Sequence, residues 1–156
     1  MKLLLDCTEF LVGWVKRRIP HMENGDFGPC YAIGVMHGDR VVAGVVYHCW
    51  QPQYRAIEIS CAADTPKWAT RRVLNELWSY PFEHLGVNRC TCATPADDAR
   101  TRKFLEGIGM VYEGTGADAF GDHDAAVYRL LKREWQAGKF YLKEKEHGQK
   151  VRSESA

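Results

Sequence analysis

Residues 64–90 read DTPKWATRRVLNELWSYPFEHLGVNRC. Asp64-Thr65-Pro66 has the form of a helix start, a capping side chain followed by proline at the first helical position. Beyond it Leu74, Leu77, Trp78 and Phe82 fall on one stripe of a helix. Pro81 removes a backbone donor, so it kinks the helix or ends its regular part, and Gly86 stops it. Residues 89–93 are again extended. Upstream, in residues 55–62, Ile57, Ile59 and Cys61 alternate with Glu58, Ser60 and Ala62, the period of a strand. A strand, a helix and a strand in this order make a crossover, which predicts that 89–93 lies parallel to 55–62.

Working outward from this unit, residues 31–36 and 40–48 are apolar runs joined by Gly38-Asp39, a two-residue hairpin turn. Gln51-Pro52-Gln53 marks the turn into the third strand. Nearer the N-terminus, residues 2–5 are extended. Asp6-Cys7-Thr8-Glu9 has the spacing of a capping box, and Phe10, Leu11, Trp14, Val15 and Ile19 recur at helical spacing up to Pro20. Residues 21–29 read as a loop. On the other side, residues 97–106 form a second crossover-side helix closed by Gly107 or Gly109, and 110–113 and 125–131 complete the sheet. The link between them, 114–124, holds three Gly and three Asp. The expected architecture is α+β: a mixed, mostly antiparallel sheet with one βαβ crossover and flanking helices. Residues 1–138 are read as one domain and 139–156 as a charged C-terminal tail.

The chain has 156 residues, with 46% hydrophobic and 26% charged. This is a globular composition and excludes wholesale disorder. Twenty-one basic against twenty acidic residues leave +1, so no chain-wide charge argues for nucleic acid. No apolar run has the length of a membrane span. The six cysteines include no C-x-x-C pair and share no metal-site spacing with the histidines. They read mostly as small buried hydrophobes of a reducing, cytoplasmic compartment, with no metal.

Lys67, Arg71 and Arg72 crowd the start of the helix, where the helix dipole disfavours cations. Two readings stand: a solvated polar face, or an anion held by free N–H groups and these side chains.

In order along the chain, PKWATRRVLNELWSYPFEHLGVNRC, DDARTRKFLEGIGMVYEG and DHDAAVYRLLKREW resemble the GCN5-related N-acetyltransferase (GNAT) family. Within it they resemble the ribosomal-protein and amino-group subtype in the short form carried by phages. The likeness runs over residues 31–135. Tyr80, Phe82, Leu85 and Gly86 carry the phrase that closes the family's cofactor helix. Asp98 and Thr101 take the places of its Asn and Ser, and Glu113-Gly114 match.

The resemblance implies an acetyl-CoA-dependent transferase acting on a primary amine: a protein N-terminus, a lysine, a polyamine or a small amine. It implies cofactor contacts from Cys61, Ala62, Ala63, Lys67, Trp68, Ala69, Thr70, Arg71, Arg72, Asp98, Thr101 and Phe104, and pairing of two copies through the last strands. Trp68 and Thr70 stand where the family has small residues that let a pyrophosphate reach the backbone. Leu105 stands where many members have a tyrosine that protonates the leaving thiolate.

An attacking amine must lose a proton. Glu58 is the candidate base, with Ser60 on the same face of the strand; a solvent-facing carboxylate is the bland alternative. His123, between Asp122 and Asp124, reads as part of a turn, and the acidic link with Asp118 as a surface for a cationic acceptor. The competing function is a partner-binding protein of the same fold without catalysis. A nucleic-acid role through Arg71, Arg72, Arg100, Arg102 and the tail is disfavoured by the net charge.

Overall fold

The computed structural model describes residues 1–22 and 24–142. Seven strands form a single sheet in the order β1-β2-β3-β4-β5-β7-β6. They are β1 (Lys2–Leu4), β2 (Cys30–His37), β3 (Arg40–Gln51), β4 (Ala56–Ala63), β5 (Arg89–Pro95), β6 (Val111–Phe120) and β7 (His123–Leu131). The helices are α1 (Thr8–Lys16), α2 (Arg71–Ser79), α3 (Ala99–Gly107) and α4 (Lys132–Ala137). All neighbours are antiparallel except β4 and β5, the parallel pair of the crossover.

Each face of the sheet has its own apolar cluster. On one, Leu11, Trp14 and Val15 of α1 pack with Phe27, Ala32 and Val46. Gly34 and Gly44 are register partners on β2 and β3. A Cβ on Gly34 would lie 2.8 Å from Leu11 Cδ2, and one on Gly44 would lie 2.8 Å from Val15 Cγ2. The paired glycines are what let α1 sit directly on the strands. On the other face Leu74, Leu77 and Trp78 of α2, with Phe82 just beyond its end, join Ile57, Ile59, Cys90, Tyr128 and Trp135.

Several local expectations change. The capping box at Asp6 does not form. Cys7 precedes α1 without a side-chain cap bond, Asp6 has φ of 60°, and Thr8 Oγ1 accepts instead from the Ala32 amide. The helix predicted from Pro66 begins five residues later. Pro66–Trp68 is one tight 3-10 turn whose first amide, that of Lys67, donates to Thr65 Oγ1. The cap of α2 is Thr70, which accepts from Val73 N at 3.2 Å. Pro81 does disturb the helix end: Tyr80–His84 widens into a π turn in which Leu85 N donates to Tyr80 O. Gly86 then turns the chain at φ of 72°.

The Gly- and Asp-rich link is not a loop. Strand β6 runs on to Phe120, and Phe120 pairs with His123 across a Gly121-Asp122 turn. Of the expected tail, Lys139 O accepts from Arg71 Nε and the Leu142 amide donates to Asn75 Oδ1. Phe140 and Tyr141 pack on the α2-side core. The rest of that tail lies outside the described residues.

Candidate active site

The parallel pairing of β4 and β5 covers only Ala56, Ile57 and Glu58 against Arg89, Cys90 and Thr91. Beyond Glu58 the strands diverge, while β4 stays paired with β3 up to Ala63 and β5 with β7 up to Pro95. Alternate backbone groups of residues 60–63 therefore face an opening instead of a neighbouring strand. A cleft of about 790 Å³ fills this opening. Its walls are Ser60, Cys61, Ala62 and Ala63 on one side and Cys92, Ala93, Thr94 and Pro95 on the other. The floor includes Trp68, Phe104 and Leu105, and the mouth carries His21, Phe120 and His123.

Of the residues expected to hold a cofactor, Cys61, Ala62, Ala63, Trp68, Asp98, Thr101 and Phe104 line this cleft. Lys67, Ala69, Thr70, Arg71 and Arg72 stand beyond its lining, at the start of α2. The loop before α2 turns its amides inward: Lys67 N donates to Thr65 Oγ1, Ala69 N to Pro66 O and Thr70 N to Trp68 O. The amides of Arg71 and Arg72 are the first of α2 and have no acceptor within the helix. Trp68 is buried, with its ring 5.8 Å from that of Phe104. It replaces the open space that a small residue would leave. Arg71 is committed to Lys139 O at 2.9 Å; Arg72 is exposed. Asp98 caps α3, accepting from Thr101 N at 3.0 Å and from Thr101 Oγ1 at 2.7 Å.

At the edge of the cleft Arg18 stacks on Trp14 with 3.5 Å to the ring centroid. It grips Asp64 through Nε and Nη2 at 2.7 and 3.1 Å. This bidentate hydrogen bond holds the Asp64 carboxyl below its ordinary range. Thus Asp64 anchors the end of α1 instead of opening a helix. His21 stacks on Phe120 at 4.5 Å, and burial lowers its pKa, so it is neutral at pH 7.

Glu58 sits at the vertex where β4 and β5 part, exposed, roughly 7 Å along the strand from Ser60. Its cross-strand partner is His48. His48 Nε2 lies 2.9 Å from Ser60 Oγ, and Nδ1 lies 3.4 Å from Cys49 Sγ. Burial lowers the His48 pKa and the Glu58 charge partly opposes this. The imidazole is therefore neutral at pH 7 and in contact with a hydroxyl that faces the cleft. The Cys49 thiol, pushed up to about 11 by burial and by its hydrogen bond to Glu58, stays protonated. Cys61, in the cleft wall, is likewise pushed up to about 11 by burial and is no nucleophile.

Sequence reasoning missed His48 and His21. For His48 the signal was partial. The hairpin of β3 and β4 is legible, but counting outward from Pro52 sets residue 48 opposite residue 56, and only the register slip between His48 and Gln51 brings it opposite residue 58. His21 had none, because its place depends on how the segment after α1 meets the distant β6–β7 hairpin.

A sheet that splits along its single parallel pair, with a helix start beside the split, is a specific arrangement. A spermidine N-acetyltransferase SpeG chimera from Vibrio cholerae and hSSAT superposes with a TM-score of 0.71 at 13% identity, covering 88% of this chain and all of that one. The chain has the GCN5-related N-acetyltransferase fold. A "putative acetyltransferase" from T. thermophilus matches with a TM-score of 0.60 at 22% identity over 82% of this chain and 66% of its own. In sequence, the chain is similar to the Bacillus subtilis (strain 168) protein named "Putative ribosomal N-acetyltransferase YdaF", 35% identical over 68 residues. That match spans 41% of this chain and 37% of the relative's length. No family model matches the chain.

Proposed function

We propose that this GNAT-fold chain is an acetyl-CoA-dependent N-acetyltransferase acting on a primary amine. The observation that carries the reading is the cleft between the parted ends of β4 and β5, with a hydroxyl on its wall, that of Ser60, in contact with a neutral imidazole beyond the lining, that of His48. Polyamines, lysines, protein N-termini and small amines are the candidate acceptors; the names of the similar proteins speak of ribosomal and of spermidine acetylation.

Acetyl-CoA supplies an acyl group activated as a thioester. The cleft fits a slender acyl-carrying arm. The edge at residues 60–63 that β5 leaves unpaired offers N–H donors to a carbonyl oxygen, and the first amides of α2 with Arg72 offer donors to phosphate.

The chain's own residues account for the proton. In the tautomer with Nδ1–H directed to Cys49 Sγ, His48 Nε2 accepts from Ser60 Oγ. The proton leaving the ammonium passes through Ser60 Oγ to His48. Glu58, cross-strand from His48, favours the imidazolium that forms. Leu105 is fully buried and has no proton to give, so the same relay returns the proton to the departing thiolate. Glu58 thus acts through His48 and is a positioning residue. The acidic β6–β7 hairpin beside His21 and His123 draws a cationic acceptor toward the mouth. Pairing of two copies along the edge strand β6, with exposed Val111 and Tyr112, and a reducing, cytoplasmic setting for the free thiols complete the reading. Among the described residues no helix is long and apolar enough to cross a membrane.

One observation favours the second reading, a binding protein that catalyses nothing. Trp68 occupies the loop where a pyrophosphate would approach the backbone, and the loop's amides are spent internally. Calorimetric titration with acetyl-CoA decides between them. Micromolar binding that weakens in Arg72→Ala is the expected result. Absence of binding at millimolar acetyl-CoA would establish the second reading.

A further inference from the structure

Strand β3 does something unusual at its end. Successive residues of a strand point to opposite faces, so His48 and Cys49 ought to diverge. Cys49 instead takes the left-handed conformation at φ of 52°, and the β3–β4 register slips between His48 and Gln51. The irregularity turns two adjacent side chains toward the same cross-strand partner, Glu58. The result is a triangle of three different donor atoms, an imidazole nitrogen, a thiol sulfur and a carboxylate oxygen, all within 4.8 Å of one another. No spacing in the sequence announces it, since it forms only across the hairpin.

We infer that His48, Cys49 and Glu58 form a binding site for a zinc-like divalent metal ion. The donor set is one that Zn²⁺ favours, and three protein ligands with water in the fourth place is a common arrangement. A tetrahedral ion with ordinary Zn–S and Zn–N bonds holds S and N about 3.5 Å apart; here Nδ1 and Sγ are 3.4 Å apart. The supporting contact of a ligating histidine is also in place. With Nδ1 on the metal, Nε2 carries the hydrogen and donates to Ser60 Oγ, 2.9 Å away. Cys49 and Glu58 are exposed, which gives an ion a way in. On binding, the ion takes the place of the thiol proton, which leaves to solvent.

The site stands without the acetyl-transfer reading, but it has a consequence for it. Metal on Nδ1 forces the hydrogen onto Nε2, so His48 can no longer accept from Ser60. Metal would then hold the relay shut.

Cobalt(II) added to the full chain reads the site directly. One equivalent is expected to give a thiolate-to-metal charge-transfer band with the intense visible absorption of a four-coordinate ion, and Zn²⁺ should abolish both. Cys49→Gly suits the left-handed backbone and removes only the thiol. It should keep the parent's melting temperature and lose the charge-transfer band. Glu58→Gln should weaken Co²⁺ more than about tenfold, at least the scale of losing a supporting group. A parent that gives no such band overturns the site, as does a band that survives in Cys49→Gly. Zn²⁺ should also slow acetyl transfer in the parent and not in Cys49→Gly. If no variant acetylates any amine, the transferase reading fails while the cobalt spectrum still decides the metal site.

Discussion

Ser60 and His48 show how little separates a structural contact from a chemical one. A hydroxyl on a half-buried strand residue needs a partner, and the facing imidazole provides it at 2.9 Å. The same burial that makes the contact necessary lowers the His48 pKa. A base for an amine must be neutral when the amine arrives, and burial secures this at pH 7. His48→Ala and Ser60→Ala are each expected to lower kcat by about 10²-fold, within the range of general acid–base catalysis. Together they should lower it by little more than either alone, since they serve one relay. The sign of the pH dependence follows from the same group. Activity should fall as pH drops through the lowered His48 value, because protonation removes the acceptor. The Glu58 charge raises that value, so Glu58→Gln should move the acid limb to lower pH, as a kcat–pH profile would show.

At the scale of the element, α1 lies close to the sheet because β2 and β3 present glycine to it twice, at one register pair. A methyl on Gly44 meets Val15 Cγ2 at a distance no real contact tolerates. Gly44→Ala is therefore expected to destabilise by about 1–3 kcal/mol, the cost of overpacking. Chemical denaturation would measure it. The segment after α1 also carries Arg18 to Asp64, so the shift should loosen the cleft edge and raise KM more than it lowers kcat. The start of α2 teaches a different lesson. Asp64-Thr65-Pro66 has every local mark of a helix start, yet Asp64 is taken by Arg18 and the helix waits for Thr70. The local signal loses to a long-range ion pair, which no window of sequence contains.

On the scale of the whole molecule, the far half of the sheet is tied by alternating charges: Arg89 of β5, Glu113 of β6, Arg129 of β7 and Glu134 of α4. Arg89 Nη1 donates to Glu113 Oε2 at 2.9 Å, and this pair holds the Glu113 carboxyl below its ordinary range. A depressed carboxyl contributes stability above its unfolded value, near 4.3. That contribution is lost as pH falls through the lower folded value. The residues are partly exposed, so solvent reduces the pair to about 1 kcal/mol or less. Parent and Glu113→Gln should differ in melting temperature at pH 7 and converge below about pH 4.

Much of this protein was determined by sequence alone. The order of the strands and of the first three helices, the parallel crossover, the turns at Gly38-Asp39 and Gln51-Pro52-Gln53, the burial of Cys90 and Cys92, and the shared face of Glu58 and Ser60 follow from period, proline and glycine. Those are forces acting between near neighbours in the chain. The tertiary structure alone decided the rest. It parted β4 from β5 after Glu58, because β4 follows β3 while β5 follows β7. It drew the Gly114–Asp124 link into a hairpin, because β7 offered it a partner. It gathered His48, Cys49 and Glu58 at one bulge. Each of these depends on which distant segment satisfies a backbone or side-chain group, and that choice is made by packing across the whole sheet.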